Sequence, residues 1–442
     1  MTNAIGSKHD GQKAPGQACA STQRTGGMTR REILRAGIAL PATLLVGGHI
    51  VSDYAQALPP AAKQEARSIE RHFADPYIEL VRLLHEASEI EHSLMVQYLY
   101  AAFSVKAEYQ TIAGDLTGVA IQEMQHLGKV NKLLVALGAS PTMLREAFPY
   151  EPEIYPFQFS LEPLTRTSLA KYVYCEAPAE AVDVRRAKTD AEREFCALLT
   201  RSLGTDTRPN FIGSLYATVI SLIEELGATR DSALPDLKPW IKVMDDIKDE
   251  GEHGHFQFFK RVFLGMHEGF KGHTDIWRRP QTHSLYPSHP LPHNPSAYVG
   301  HEHEIQEAKT LQLAWLGNLH YWVVLSLLDA GYRYGSPEHT GLARAHMLGP
   351  FWSLARHLAK LGMGMPFDPL GVGYAPGRNR NESLRFVTRL LGEADKLEQR
   401  VQAALPGDFP RETCRATVAA IATGGEAKLT YDVRKPWEDD WA

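Results

Sequence analysis

Hydrophobic positions along the chain recur mostly in steps of three and four, a spacing that predicts packed helices. Between Tyr77 and Phe103 the residues Leu80, Leu84, Ala87, Glu91, Leu94, Tyr98 and Ala101 fall on one seam. A second seam, Leu116, Val119, Glu123, His126, Val130, Leu133 and Leu137, is stopped by Gly138 and Pro141. Residues 139–208 are broken by prolines and predict one helix, Asp190 to Ser202, on a long crossover. A third core helix is expected from Phe211 to Leu226 and a fourth from Leu237 to Leu264. Beyond a His/Pro-rich loop at 266–300, helices are expected over His301–Gly331, Thr340–Leu361 and Asn381–Ala404. No stretch alternates with period two for long. The expected fold is therefore all-α: a four-helix bundle over 70–265 with a long crossover, and a C-terminal helical extension over 301–442 packed on the bundle.

Polar residues on these seams change the picture. Glu91 occupies an apolar position of the first helix, where a carboxylate is costly unless paired or bound to a cation. Glu123 and His126 stand three apart on the second seam, so both side chains reach one point. The fourth helix offers two overlapping Glu-x-x-His pairs, Glu250/His253 and Glu252/His255. Met244, Gly251, Phe258 and Val262 define its apolar face, and that face favours Glu252 and His255. Gly251 on the same seam would let a bulky group approach the backbone. The candidate metal ligands are thus Glu91, Glu123, His126, Glu252 and His255, with Tyr98 as a redox-active or hydrogen-bonding neighbour. Such carboxylate and imidazole donors in a bundle core are the pattern of ferritin-like carboxylate di-iron proteins. They suit iron, in a di-iron or mononuclear site, with manganese as the alternative. The third helix is the gap: the window level with the other ligands holds Asn210, Ser214, Tyr216 and Ala217 but no carboxylate. Glu176, in Cys175-Glu-Ala-Pro178, is a candidate to fill it from elsewhere. His85 and His92 lie off the seam of the first helix and are expected at the surface. The histidines of 267–303 read as a solvated loop.

The chain of 442 residues carries 22% charged residues and a net charge of -5, which gives no support to nucleic-acid binding. Three cysteines past the N-terminal segment, Cys175, Cys196 and Cys414, are too scattered for a zinc ribbon and allow at most one disulfide. At the N-terminus, Thr29-Arg30-Arg31-Glu32-Ile33-Leu34-Arg35 precedes a short apolar run, Ala36 to Val46, and then Ala55-Gln56-Ala57. This resembles a twin-arginine signal peptide. Residues 1–57 are accordingly expected to be a removed leader, and the mature protein to be periplasmic or extracellular. Leu311 to Leu328 is apolar on all sides but interrupted by Asn318 and His320. It reads as a buried helix, so no membrane span is expected in the mature chain.

Several segments together resemble a known family. Glu86-Ala-Ser-Glu-Ile-Glu91-His-Ser-Leu-Met-Val-Gln-Tyr98, Glu123-Met-Gln-His126-Leu, Ile212-Gly-Ser-Leu-Tyr216 and Glu250-Gly-Glu252 with His255-Phe-Gln-Phe are similar to the four bundle helices of the bacterial ferritin-like family of the iminophenyl-pyruvate dimer synthase type. Tyr286-Pro287 and Asn294-Pro295-Ser296 resemble the loop that follows. The resemblance implies a ferritin-like bundle and, for the named members, oxidative coupling of aromatic amino-acid imines. It also implies a third-helix carboxylate where this chain has Ser214. The leading expectation is an exported, non-haem iron oxidoreductase acting on a small-molecule substrate with dioxygen or peroxide. One alternative is a metal-free ferritin-like binding or structural protein. The other is iron storage or detoxification, which the added helices would obstruct by blocking cage packing. The sequence leaves assembly into a homo-oligomer open.

Overall fold

The computed structural model describes residues 69–145, 157, 159–204, 211–229, 234–273, 275–370 and 379–423. The twin-arginine-like segment lies outside them. Among the described residues the secondary structure is helical, with only two isolated β-bridges, Val105 with Ser288 and Ser296 with Glu304.

The bundle opens with α1 (Pro76–Ser104) and α2 (Gln110–Ala136), an antiparallel pair joined by a short turn. Asp75 caps α1 by accepting from the backbone N–H groups of Tyr77 and Ile78, and Pro76 stands at the first helical position, where its missing N–H costs nothing. The crossover contains two helices rather than one. Besides α4 (Asp190–Leu203) there is α3 (Arg166–Glu176), which the sequence reading missed. It mixes charged, polar and apolar side chains and buries most of them, so no apolar stripe marks it. Its signal is at the ends: a capping box between Thr165 and Ser168, and Pro178 just past the last turn.

The third column of the bundle is discontinuous. α3 packs on α7 (Phe256–Phe263), while α5 (Ile212–Ala228) packs on α6 (Lys238–Asp249) and on α1. The column therefore breaks between Glu176 and Ile212, with the crossover inserted at the break. The fourth column is itself interrupted: α6 and α7 are joined by a π-helical stretch, Glu250–His255.

The extension is built on α8 (Ala308–Tyr334), buried over most of its length between the α1–α2 pair and a ring of C-terminal helices. Those are α9 (Pro337–His346) and α10 (Trp352–Lys360), linked by a second π-helical stretch, then α11 (Arg380–Arg400) and α12 (Thr413–Thr423). Among the described helices α8 alone is long and apolar enough to cross a membrane, but it lies mostly inside the protein. This second layer corrects one expectation. His92 is not at the surface: it is fully buried and its Nε2 lies 2.6 Å from the Tyr321 hydroxyl. A seam argument assumes one buried face, and α1 has two. The His-rich loop is corrected at one position too: His267 is buried against Phe258 and Phe270, 3.0 Å from Asp115.

Candidate metal centre

Halfway along the bundle, five buried side chains from four helical segments converge. Glu91 comes from α1, Glu123 and His126 from α2, Glu176 from the last turn of α3, and His255 from the end of the π-helical stretch. They form two overlapping groups that share Glu123: Glu91 with Glu123 and His126, and Glu123 with Glu176 and His255. Within each group the donor atoms lie within 4.8 Å of one another. His126 Nδ1 is 3.0 Å from Glu123 Oε2 and 3.6 Å from Glu91 Oε2. His255 Nδ1 is 3.1 Å from Glu123 Oε1 and 3.6 Å from Glu176 Oε2.

Both imidazoles turn Nδ1 toward the cluster, and the opposite nitrogen explains why. His126 Nε2 faces Glu250 Oε2 at 2.9 Å, and a carboxylate only accepts, so Nε2 carries the hydrogen. His255 Nε2 lies 3.1 Å from Gln122 Oε1, and the same Gln122 amide donates to Glu250. Such outer partners fix which ring nitrogen is presented to a metal. Two tyrosines orient the carboxylates: Tyr98 donates to Glu176 Oε1 at 2.5 Å, and Tyr216 donates to Glu91 Oε1. Burial, reinforced by those carboxylates, holds both phenols well above their ordinary pKa, so they stay protonated donors.

The electrostatics are those of crowded charge. Burial, then the Glu123 carboxylate, raises Glu91 to about 7. For His255, burial alone would lower the pKa, but Glu123 and Glu176 outweigh it and raise it to about 10. The hydrogen-bonding potential is nevertheless not used up. Glu91 Oε2, Glu123 Oε1 and His255 Nδ1 are buried with no hydrogen-bond partner. They surround a void of about 10 Å³, enough for roughly one water-sized body. Three buried ligand atoms without an aligned hydrogen bond, around an ion-sized space, fit a bound cation.

The structure thus brings Glu91, Glu123, His126 and His255 together. Glu252 is placed differently. It lines the same void from its half-exposed rim, and burial raises its pKa. The Cβ of any larger residue at Gly213 would lie 2.0 Å from Glu252 Oε1. Glu250, from the less favoured register, braces His126, while its partner His253 is exposed and turned to the Asp249 carbonyl. The π-helical turn accounts for this. In a regular helix Glu250 and His255 would point roughly 140° apart at 3.6 residues per turn; the extra residue per turn brings both toward α2. Gly251 plays the part expected of it, since a Cβ there would meet Glu176 Oε2 at 3.0 Å. Sequence reasoning missed Gln122 and Tyr216 as contributors. Tyr216 stood in the right window but was not a carboxylate. Tyr98 reaches Glu176 and so is tied to the break in the third column.

Residues 84–239 match the family model described as Ferritin-like, in keeping with the ferritin-like fold of the bundle. Among curated proteins the chain is similar to dichlorochromopyrrolate synthase of Lentzea aerocolonigenes, at 25% identity over 70% of this chain and 37% of that protein. It is also similar to 2-imino-3-(indol-3-yl)propanoate dimerase of Chromobacterium violaceum, at 32% identity over 28% of this chain and 15% of that protein. The chain therefore spans little more than a third of the length of the first and less of the second. These matches bear out the resemblance read from the helix motifs. No solved structure matches the chain.

Proposed function

We propose that this ferritin-like domain is the metal-dependent centre of an oxidoreductase acting on a small organic substrate. One observation carries the reading: three buried ligand atoms without a hydrogen-bond partner, Glu91 Oε2, Glu123 Oε1 and His255 Nδ1, around an ion-sized void. Glu91, Glu123 and His126 would hold one ion, and Glu123, Glu176 and His255 a second, with Glu123 shared. Glu252, at the rim, is the carboxylate that would turn onto an ion from the open side. Iron fits this donor set best, with manganese next, and when bound it supplies oxidation driven by dioxygen or peroxide.

The chain's own residues do the rest. Gln122 and Glu250 keep the two imidazoles in the tautomer that offers Nδ1, and Tyr98 and Tyr216 hold Glu176 and Glu91 in place. Leu94, Ile212 and Ile247 line the void and restrict water. The void does not admit an organic molecule, so the substrate would approach at the Glu252 and Lys248 rim. The activities for which the two relatives are named support an aromatic, indole-type substrate, and the leader-like N-terminus supports an exported protein.

The test is oxidant consumption by the full-length, iron-loaded protein, coupled to loss of an aromatic imine such as 2-imino-3-(indol-3-yl)propanoate. Consumption should fall at least about a hundredfold in Glu123→Ala, the scale on which loss of positioned catalytic groups is felt. Equal consumption in the variant would overturn the proposal.

A further inference from the structure

A second constellation lies in the C-terminal extension. His320 from α8, Glu398 from α11 and Cys414 from α12 meet in the interior, each buried, with donor atoms within 4.8 Å of one another. His320 Nε2 and Cys414 Sγ each lie 3.1 Å from Glu398 Oε1. The histidine contact has the distance of an ion pair but not the alignment of a hydrogen bond, so Nε2 is left as a buried ring nitrogen without a hydrogen-bond partner. The bundle centre carries the same signature.

The other side of the imidazole is prepared. His320 Nδ1 lies 3.1 Å from His346 Nδ1, and His346 Nε2 lies 2.9 Å from Thr417 Oγ1. His346 and Thr417 are fully buried. With His346 Nε2 donating to Thr417 Oγ1, its Nδ1 is the acceptor for a hydrogen on His320 Nδ1. That leaves His320 Nε2 with its lone pair toward Glu398 and Cys414. A ring nitrogen tied back by a hydrogen bond while the other faces a thiol and a carboxylate is the arrangement that metal-binding histidines adopt.

We infer that His320, Glu398 and Cys414 form a second metal site, separate from the bundle centre, that takes a single zinc-class divalent ion. The thiol is the discriminating donor. The bundle groups offer only carboxylate and imidazole, which suit iron and manganese, whereas thiolate with imidazole and one carboxylate selects a borderline-soft ion such as zinc. Tetrahedral donors at about 2.0 to 2.3 Å from zinc stand roughly 3.3 to 3.8 Å apart, so small side-chain shifts would suffice. Cys414 releases its thiol proton to solvent as the sulfur–metal bond forms, and a water completes the fourth position. Because the donors come from three helices, the ion would fasten α11 and α12 to α8.

Elemental analysis and cobalt exchange of the purified full chain test this. The wild type should hold one zinc per chain beyond any iron. Cobalt(II) in its place should give thiolate-to-metal charge-transfer absorption. Cys414→Ser should lose both the zinc and the band while keeping the iron. Cys175→Ser, beside the bundle centre, should keep all three. Should Cys414→Ser fail to fold, alkylation of the wild type decides: Cys414 should be protected when zinc is loaded and labelled after chelation. Wild-type protein without zinc or a cobalt–thiolate band, a band that survives Cys414→Ser, or labelling unaffected by chelation would overturn the inference.

Discussion

Single residues carry the chemistry of the bundle centre. Tyr98 and Tyr216 each hold one carboxylate by a phenolic hydrogen bond. Tyr98→Phe should therefore keep most of the bound metal while lowering turnover, as metal analysis beside steady-state rates would show; full activity in Tyr98→Phe would make the hydroxyl incidental. Gly213 is set by close approach rather than by a turn, since a Cβ there would lie 2.0 Å from Glu252 Oε1. Gly213→Ala should push Glu252 off the rim and weaken metal retention, measured by chelator competition, with the fold intact by circular dichroism. Outside the centre, Glu79 is buried and accepts from Arg82 and the Phe73 N–H. Burial alone would raise its pKa, but these donors more than offset it and the net shift is downward. A carboxylate lowered on folding contributes stability above its ordinary value near 4.5, and that contribution is lost as pH falls through the folded pKa. Glu79→Gln should thus cost about 1 to 3 kcal/mol at neutral pH. Denaturant titrations at several pH values should show the difference shrinking below about 4.5; a constant difference would exclude the linkage.

At the scale of elements, what could be read from the chain depended on regularity. Glu91, Glu123 and His126 were legible because α1 and α2 are unbroken helices, where spacing translates directly into a shared face. The other half was legible only in part, because both of its columns are irregular: His255 stood among the candidates, and Glu176 only as a substitute from elsewhere. The third column breaks between Glu176 and Ile212, so a search for a carboxylate inside one continuous helix looked in α5 and found Tyr216. Glu176 sits on a short helix without an apolar stripe, and only its caps mark it. In the fourth column the π-helical stretch changes the angle per residue, so a wheel drawn for a regular helix chooses between Glu250 and Glu252 when the fold uses both in different ways. Deleting Gly254, an exposed residue of that stretch, should restore a regular turn and swing Glu250 away from His126. The expected outcome is a folded protein that binds metal at least about tenfold more weakly, the scale of losing an outer-sphere partner. Unchanged affinity would mean that the π-helical turn is incidental.

For the whole molecule, the all-α architecture was evident from periodicity and the buried α8 from its all-round apolar middle, but the depth of burial was not. The extension covers a second face of α1, which is why His92, against Tyr321 of α8, is interior although it lies off the seam. It also brings His320, Glu398 and Cys414 together across residues far apart in the chain, a proximity that no local spacing could announce. The family match covers residues 84–239, whereas most of the fourth column, the covering helices and the candidate zinc clamp lie beyond it. The central claim is that the bundle centre is a metal centre. Its most direct test is element-resolved metal analysis of the full-length protein and of Glu123→Ala, because Glu123 belongs to both donor groups. The wild type should hold close to two iron-class ions per chain and the variant should lose them, with zinc unaffected. Iron-free wild-type protein that refuses iron or manganese on loading, or a variant that keeps its full iron complement, would contradict it.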